Sequence, residues 1–390
     1  MVAAIDDAGG ADRVGLEGLT VQAAHAPRGR FLLLALGGIA LLAGLTGALV
    51  LLGTLIPADA ARLAAGHGRL MTLGFLGTVI ALERAVALGR PLGYAAPVAT
   101  GVGALAIVLG LAPVPAAWLL VAGGVLLVGT YAVFATRERS LHLGIQAAGA
   151  GAWPVAALLL AVGRPVPDAL PWLAAFLVLT IAGERLELAR LGQLTVLKRR
   201  QFIVAAWIFV AGVTVSLAVP DAGTRVGGIG LLALAAWLAR NDLARRTVRM
   251  PGVTRFIALS LLLGYAWLAV AGSAWLVTGI EGGAAYDVRL HALFLGFVIS
   301  MVFGHAPVIV PAVLRVPLPY TPIFYGHLAL LHAGLLIRII GGDVLAVAGA
   351  WYLGGVLNVV AVLLFVGVSA AAAIGELVRR RRGRRSQRPG

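Results

Sequence analysis

Apolar runs long enough to cross a bilayer recur along the chain, and this feature constrains the fold more than any other. They begin at Phe31 and continue to Ile374, and a spanning helix needs about 20 predominantly apolar residues. With 61% hydrophobic and only 12% charged residues, the chain is too apolar for a soluble protein. Because lipid cannot hydrogen-bond free backbone groups, the spans must be helices. The sequence therefore predicts an all-α, polytopic membrane helical bundle.

The apolar runs divide into twelve predicted transmembrane spans between two polar tails. Residues 1–30 lack the basic start of a signal peptide, so we predict a flexible cytoplasmic N-terminal tail. Residues 31–376 form the predicted twelve-helix transmembrane domain, and residues 377–390 an Arg-rich cytoplasmic tail. The predicted spans are 31–56, 67–88, 93–112, 116–136, 141–163, 170–189, 201–219, 226–240, 255–279, 289–314, 319–340 and 345–376.

The basic residues are distributed unevenly between the two sides of this predicted bundle. Only six of the 31 Lys and Arg residues fall in the odd-numbered connections, which follow spans 1, 3, 5 and so on. The positive-inside rule therefore predicts that both termini lie on the cytoplasmic side of a bacterial inner membrane. The net charge of +15 thus indicates contact with anionic lipid rather than with nucleic acid.

The chain contains no cysteine. This excludes disulfides, Cys-ligated iron–sulfur clusters and covalent attachment of a c-type haem through C-x-x-C-H. Any haem would therefore be a b-type haem (heme b) held by histidine or methionine side chains.

Two histidines bracket the stretch "HALFLGFVISMVFGH" at 291–305, within predicted span 10. Fourteen residues of helix separate them by about 21 Å along the axis. Fourteen steps of about 100° fall about 40° short of four full turns, so both imidazoles lie near one helix face. This spacing is typical of membrane cytochromes that stack two b-type haems.

Histidines on other spans match His291 and His305 in predicted depth. His67 lies at the outer end of span 2, level with His291, and each has an arginine two residues away, Arg69 and Arg289. We predict that His67 and His291 ligate an outer haem iron and that the two arginines hold its propionates. Alternatively, each histidine hydrogen-bonds a neighbour or faces a water-filled cavity.

A second, inner pair is predicted from the same reasoning. His327 lies about 12 Å along span 11, at a depth similar to that of His305. We predict that these two ligate a second haem or a copper ion. Pro307 and Pro311 follow His305 and can kink span 10, which would change the direction of the His305 side chain.

The motif I-A-x-E-R occurs near the inner ends of spans 2 and 6. "VIALER" contains Glu83 and Arg84, and "TIAGER" contains Glu184 and Arg185. Ion pairing at the helix ends is one interpretation, and proton entry is the other. The echo would fit three arcs of four helices, although one five-residue match also arises by chance.

Four segments resemble the NnrS family of haem- and copper-containing membrane proteins, which is associated with nitric oxide metabolism. They are "HGRLMTLGFLGTVI" at 67–80, "LGYAWLAVAG" at 263–272, "LHALFLGFVISM" at 290–301 and "LHAGLLIRIIG" at 331–341. The resemblance implies haem chemistry linked to nitric oxide. The family has a further His and a Glu beside its second-span histidine, where this chain has Gly and Arg, so copper is the weaker expectation.

The architecture also resembles the main subunits of haem–copper oxidases. Those subunits have twelve spans in three arcs and hold a low-spin haem between histidines on spans 2 and 10. They also place a copper-ligating histidine on span 6 and a histidine pair on span 7, whereas predicted spans 6 and 7 of this chain contain no histidine. An oxygen-reducing centre is therefore not expected.

Two classes of function follow from these residues. The first is an inner-membrane b-type haem protein that transfers electrons, or acts on nitric oxide, near the periplasmic face, with one haem or two. The second is a metal-free permease or exporter whose His and Arg residues line a proton or substrate path. A redox partner or a neighbouring membrane enzyme is the expected protein partner, and whether the protein is an enzyme stays open.

The charge asymmetry generates a prediction about topology. A periplasm-active reporter such as alkaline phosphatase should be active when fused at Gly283, and a cytoplasm-active reporter when fused at Arg246. The reverse pattern at either position would contradict the twelve-span topology.

Overall fold

Long helices make up almost all of the described chain. The computed structural model describes residues 28–54, 60–189 and 194–386. Within these ranges there are twelve long helices and no strand, so the predicted all-α polytopic bundle is confirmed. We number the helices α1 Arg28–Leu51, α2 Ala61–Leu88, α3 Pro91–Leu109, α4 Pro113–Arg137, α5 Leu141–Ala161, α6 Val166–Ala189, α7 Val196–Val215, α8 Pro220–Asn241, α9 Val253–Thr278, α10 Ala284–Leu314, α11 Phe324–Val344 and α12 Ala348–Ser386.

Eleven of these helices are long and apolar enough to cross a membrane, and α7 is the exception. Its first two turns contain Lys198, Arg199 and Arg200, which lower the apolar character of a 20-residue helix. The rest of α7 packs tightly on α8, because a Cβ on Gly230 would lie 2.6 Å from the Phe209 Cβ. Eleven of the twelve predicted spans are thus supported by length and composition, and the crossing of the membrane by α7 stays a prediction.

The first helix begins earlier, and the last helix ends later, than the sequence predicts. Residues 1–27 and 387–390 lie outside the described part of the chain, so most of the predicted N-terminal tail is not described. Arg30 belongs to α1, and its guanidinium donates hydrogen bonds to the Tyr94 hydroxyl at 2.9 Å and the Val313 carbonyl at 3.0 Å. At the other end, α12 continues to Ser386, so most of the predicted Arg-rich tail has a helical backbone.

Helix α6 is the most enclosed of the spans. In the most apolar 18-residue stretch of α6, 72% of the residues are buried, compared with 22% in the corresponding stretch of α12. Helix α6 packs on α5, α7, α8 and the middle of α10. The most central helix therefore also contains the motif residues Glu184 and Arg185.

Three helices contain a π-helical segment, which the sequence did not predict. The segments are Leu70–Gly77 in α2, Ala292–Ile299 in α10 and Ile337–Val344 in α11. A π-helical segment is rare and occurs frequently at functional sites. The first two begin within three residues of His67 and His291, and the third contains Arg338, so all three mark one region of the bundle.

Close packing of α7 on α8 generates a stability prediction. Gly230→Ala should destabilise the protein by roughly 1–3 kcal/mol, because the new methyl group would overlap the Phe209 backbone. The control is Gly151→Ala on α5, where an added Cβ meets nothing within 4 Å. Thermal unfolding in detergent measures both. Equal melting temperatures for the two variants would contradict the tight packing of α7 on α8.

Candidate functional site

His67 on α2 is held in one orientation by α1. Its Nδ1 lies 2.7 Å from the Gly44 carbonyl oxygen. A carbonyl can only accept, so Nδ1 carries the proton and Nε2 keeps its lone pair. The helices approach this closely because α1 has glycines here: a Cβ on Gly47 would collide with the Leu63 carbonyl, and one on Gly44 would lie 2.7 Å from the Met71 sulfur.

His291 on α10 is held in the same way by a residue one turn earlier. Its Nδ1 lies 3.0 Å from the Asp287 carbonyl oxygen and 3.1 Å from the Asp287 carboxylate oxygen Oδ1. The proton is again on Nδ1, and Nε2 is the nitrogen with the lone pair. A histidine oriented by an Nδ1–H bond to a carbonyl or carboxylate is the arrangement found in most metal-ligating histidines.

The Asp287 carboxylate is itself fixed by Arg338 on α11. Two parallel hydrogen bonds of 2.7 Å join the Arg338 Nε and Nη2 to the two carboxylate oxygens. The guanidinium lies 4.6 Å from the ring centre of Trp351 on α12, a distance suited to a cation–π contact. A second carboxyl group, from Asp343 on α11, lies close to that of Asp287. This bidentate pair is well shielded, with 8% of the Arg338 side chain exposed.

The structure brings these groups into one cluster, which we call the outer cluster: His67, Asp287, His291, Arg338 and Asp343. His67 lies near both His291 and Arg338. Both histidines lie about two turns inside their helices rather than at the helix ends, because α2 and α10 begin earlier than predicted. Five helices, α1, α2, α10, α11 and α12, contribute contacts to the cluster.

The two arginines predicted beside these histidines differ in their contacts. Arg289 is 3% exposed, donates to the Glu281 carbonyl and lies 5.7 Å from the Tyr286 ring centre. It therefore fixes the connection before α10. The Nε atoms of Arg69 and Arg289 are buried, and neither has a hydrogen-bond partner among the described residues. Both arginines thus have an N–H group that an additional acceptor could use.

The predicted inner pair, His305 and His327, have different surroundings. The His305 Nδ1 donates to the Met301 carbonyl at 2.6 Å, and its buried Nε2 has no partner in the described ranges. His327 is fully buried, and its ring centre lies 4.7–6.1 Å from those of four phenylalanines. Neither of its nitrogens is hydrogen-bonded within the described chain. A shared second site for these two histidines stays a prediction.

Both ring nitrogens of His332 contact neighbouring side chains, so neither is available to ligate a metal. The Trp267 indole N–H donates to its Nδ1 at 2.9 Å, and its Nε2 lies 3.5 Å from the Ser300 hydroxyl oxygen. Nε2 therefore carries the proton. These contacts join α9, α10 and α11.

At the opposite end of the bundle the two I-A-x-E-R motifs meet. The Arg84 guanidinium lies 2.6 Å from the Glu83 carboxylate and 3.1 Å from that of Glu184. Its Nη1 also lies 3.4 Å from the Gln146 side-chain oxygen. The arginine of the motif on α2 is therefore joined by an ion pair to the glutamate of the motif on α6. The expected ion pairing is present, and proton entry through these groups stays a hypothesis.

Comparison with known proteins identifies a family. The sequence pattern described as "Domain of unknown function (DUF8744)" matches residues 30–374. The chain belongs to the DUF8744 family. A comparison with curated proteins finds no match. The match covers all twelve helices of this DUF8744 protein almost completely, from the third residue of α1 into the last apolar turns of α12.

The donor atoms of this DUF8744 protein limit which metal group can fit. No set of three or more His, Cys, Asp or Glu residues within the described ranges could hold a metal ion. A copper ion bound only by protein side chains is therefore not supported by them. A haem supplies four equatorial nitrogens of its own and needs only two axial ligands, so the His67–His291 donor set fits a haem.

Sequence reasoning missed Asp287, Asp343 and Arg338 as members of the outer cluster. Asp287 precedes His291 by four residues, the helical spacing at which side chains meet, so this member could have been found. Arg338 is 51 residues from Asp287, and no local spacing indicates that contact.

The buried ion pair generates a stability prediction. Asp287→Asn or Arg338→Gln should each cost roughly 3–5 kcal/mol, because either leaves a shielded charge without its partner. The double variant Asp287→Leu/Arg338→Met should recover much of the loss.

Thermal unfolding of the wild type, the two single variants and the double variant measures these changes in stability. The control is Arg164→Gln, which removes an exposed pair with Asp168 at 2.7 Å and should change stability by less than about 1 kcal/mol. Single-variant losses as small as that of the control would contradict the importance of the pair.

Proposed function

We propose that this protein is an integral-membrane b-type haem protein in which His67 and His291 would hold the haem iron. One observation carries the proposal. Two histidines on different helices lie near each other, and each donates its Nδ1–H to a backbone carbonyl. Both imidazoles therefore keep the Nε2 lone pair that iron requires.

The surrounding residues suit this role. Asp287 accepts a hydrogen bond from His291 Nδ1–H, which makes the imidazole more basic and a stronger donor to a metal. Arg338 holds the carboxylate in position through charge-assisted hydrogen bonds. The N–H groups of Arg69 and Arg289 that lack partners among the described residues would suit haem propionates.

Electron transfer is the function that this ligand set favours. When bound, the haem would supply a one-electron couple between ferric and ferrous iron. Because both His67 and His291 would hold the haem, the proposal favours electron transfer over the binding of a diatomic gas. Nitric oxide chemistry, which the NnrS resemblance suggests, would need one of these two histidines to be free. We place the site on the periplasmic side of a bacterial inner membrane, from the distribution of basic residues.

A metal-free permease or exporter is the second candidate. The ion-paired group of Glu83, Arg84 and Glu184 supports it, because charged groups enclosed within a helical bundle commonly mark ion or substrate paths. Only 14% of the Arg84 side chain is exposed. In this alternative, the histidines would exchange protons instead of ligating iron.

Absorbance spectra of variants distinguish the two candidates. The protein is expressed with an ample haem supply, purified in detergent and measured before and after dithionite reduction. The wild type should have the bands of a low-spin b-type haem. His67→Ala and His291→Ala should each remove them, because one axial ligand is lost. His305→Ala, the matched control on α10, should retain the outer haem.

The outcome is decisive when folding is monitored in parallel by gel filtration and thermal unfolding. Purification of the wild type without haem would overturn the proposal in favour of the permease. Retention of an unchanged low-spin spectrum by well-folded His67→Ala would also overturn the ligand assignment. Nitric oxide added to the reduced wild type tests ligand displacement: an unchanged spectrum supports electron transfer, and a nitrosyl spectrum supports nitric oxide chemistry.

A further inference from the structure

A basic cavity lies at the end of the bundle where α6 joins α7 and α8 joins α9. Its volume is about 470 Å³. The α8–α9 connection forms one wall and includes a one-turn helix, Ala244–Thr247. The cationic side chains that line the cavity are Lys198, Arg240, Arg245, Arg246 and Arg249. Five cations around so small a volume make this a site of strongly positive potential.

The acidic residue that lines this cavity, Asp242, offsets only part of the charge of the five cations. Asp242 is 6% exposed, and its carboxylate accepts hydrogen bonds from the Tyr265 hydroxyl at 2.8 Å and the Ala244 backbone N–H at 2.7 Å. That carboxylate is therefore committed to the protein interior. None of the five cations forms an ion pair within the described ranges of the chain. The cavity thus favours an anionic ligand.

An apolar groove continues from the cavity along the surface between α7 and α8. Its volume is about 740 Å³, and it shares Arg240 and Asn241 with the cavity. The apolar side chains along it include Val204, Ile208, Ala233 and Ala236. The groove lies on apolar stretches of both helices, so its occupant in the membrane would be a hydrocarbon chain.

One hydrogen bond joins the two helices beside the cavity and the groove, and a second orders the end of α8. The Trp237 indole N–H of α8 donates to the Lys198 carbonyl of α7 at 2.8 Å. The Asn241 side-chain amide donates to the Trp237 carbonyl at 2.9 Å. The junction between the polar and the apolar parts is therefore held by defined contacts, which suits a ligand that occupies both parts at once.

We propose that the cavity and groove together bind one anionic glycerophospholipid. Its phosphate lies among the basic side chains of the cavity, and one acyl chain lies in the groove. The match is one of charge and of polarity: a phosphate beside a hydrocarbon chain meets five cations beside an apolar groove. Basic pockets between helices on the cytoplasmic side bind anionic lipid headgroups in other membrane proteins. Inorganic phosphate shares the anionic chemistry but would not use the groove.

Lipid competition tests the preference for anionic headgroups. The detergent-purified protein is incubated with equal amounts of phosphatidylglycerol and phosphatidylcholine, and retained lipid is counted by native mass spectrometry. The wild type should retain phosphatidylglycerol in preference. The triple variant Arg245→Gln/Arg246→Gln/Arg249→Gln should lower that preference at least about tenfold, since each basic residue near an anionic surface contributes about 1 kcal/mol.

A matched triple variant controls for net charge. Arg90→Gln/Arg139→Gln/Arg315→Gln removes three exposed arginines from other even-numbered connections at the same end of the bundle, and it should retain the wild-type preference. The three arginines replaced in the cavity are exposed as well, so both triple variants should fold, which thermal unfolding checks. Equal preference in the two triple variants would overturn the proposal.

A groove variant separates a lipid from a free anion. Ala236→Phe fills the groove and should lower phosphatidylglycerol retention while leaving the basic residues in place. Inorganic phosphate at millimolar concentration should compete only weakly. If Ala236→Phe retains as much lipid as the wild type, or if phosphate displaces the lipid, the cavity is an anion site alone and the lipid assignment is wrong. These measurements do not involve haem, so their outcome is independent of the proposed function.

Discussion

The ion pair between Asp287 and Arg338 is the interaction on which the outer cluster depends. It joins α10 to α11, and through Trp351 the arginine also contacts α12. A charge enclosed in a membrane bundle is costly unless it is paired and hydrogen-bonded. Arg338 holds the Asp287 carboxylate in place with two hydrogen bonds. The same carboxylate can therefore also accept a hydrogen bond from the Nδ1–H of His291. A contact made by a different helix therefore reinforces the ring orientation that the Asp287 backbone carbonyl already favours.

Small residues and π-helical segments provide the remaining geometry. Gly44 and Gly47 let α1 approach α2 until a backbone carbonyl reaches His67. A π-helical segment follows each of the two histidines, and a third contains Arg338. Such segments shift the direction of the side chains relative to a regular α-helix. Rigid α-helical spacing alone thus does not describe how these groups converge.

The two ends of the bundle are chemically different. The outer cluster combines two imidazoles, two carboxyl groups and one guanidinium, whereas the opposite end has a partly buried Arg84 shared by two glutamates and a cavity lined by five cations. Excess positive charge at one end suits the cytoplasmic surface of a bacterial membrane. The residues proposed to hold a haem and those proposed to bind a lipid are therefore different.

The sequence by itself determined the helices, because the length and apolar character of each span are local properties. It also indicated that His67 and His291 lie at similar depth, since depth follows from the position of a residue along its helix. Tertiary structure decided the rest. The Asp287–Arg338 pair joins residues 51 positions apart, the His305 ring is hydrogen-bonded whereas the His327 ring packs against phenylalanines, and the π-helical segments alter the angular spacing that a regular helix predicts. Which side chains meet across helices depends on how the helices rotate and pack, and neither hydropathy nor charge along the chain contains that information.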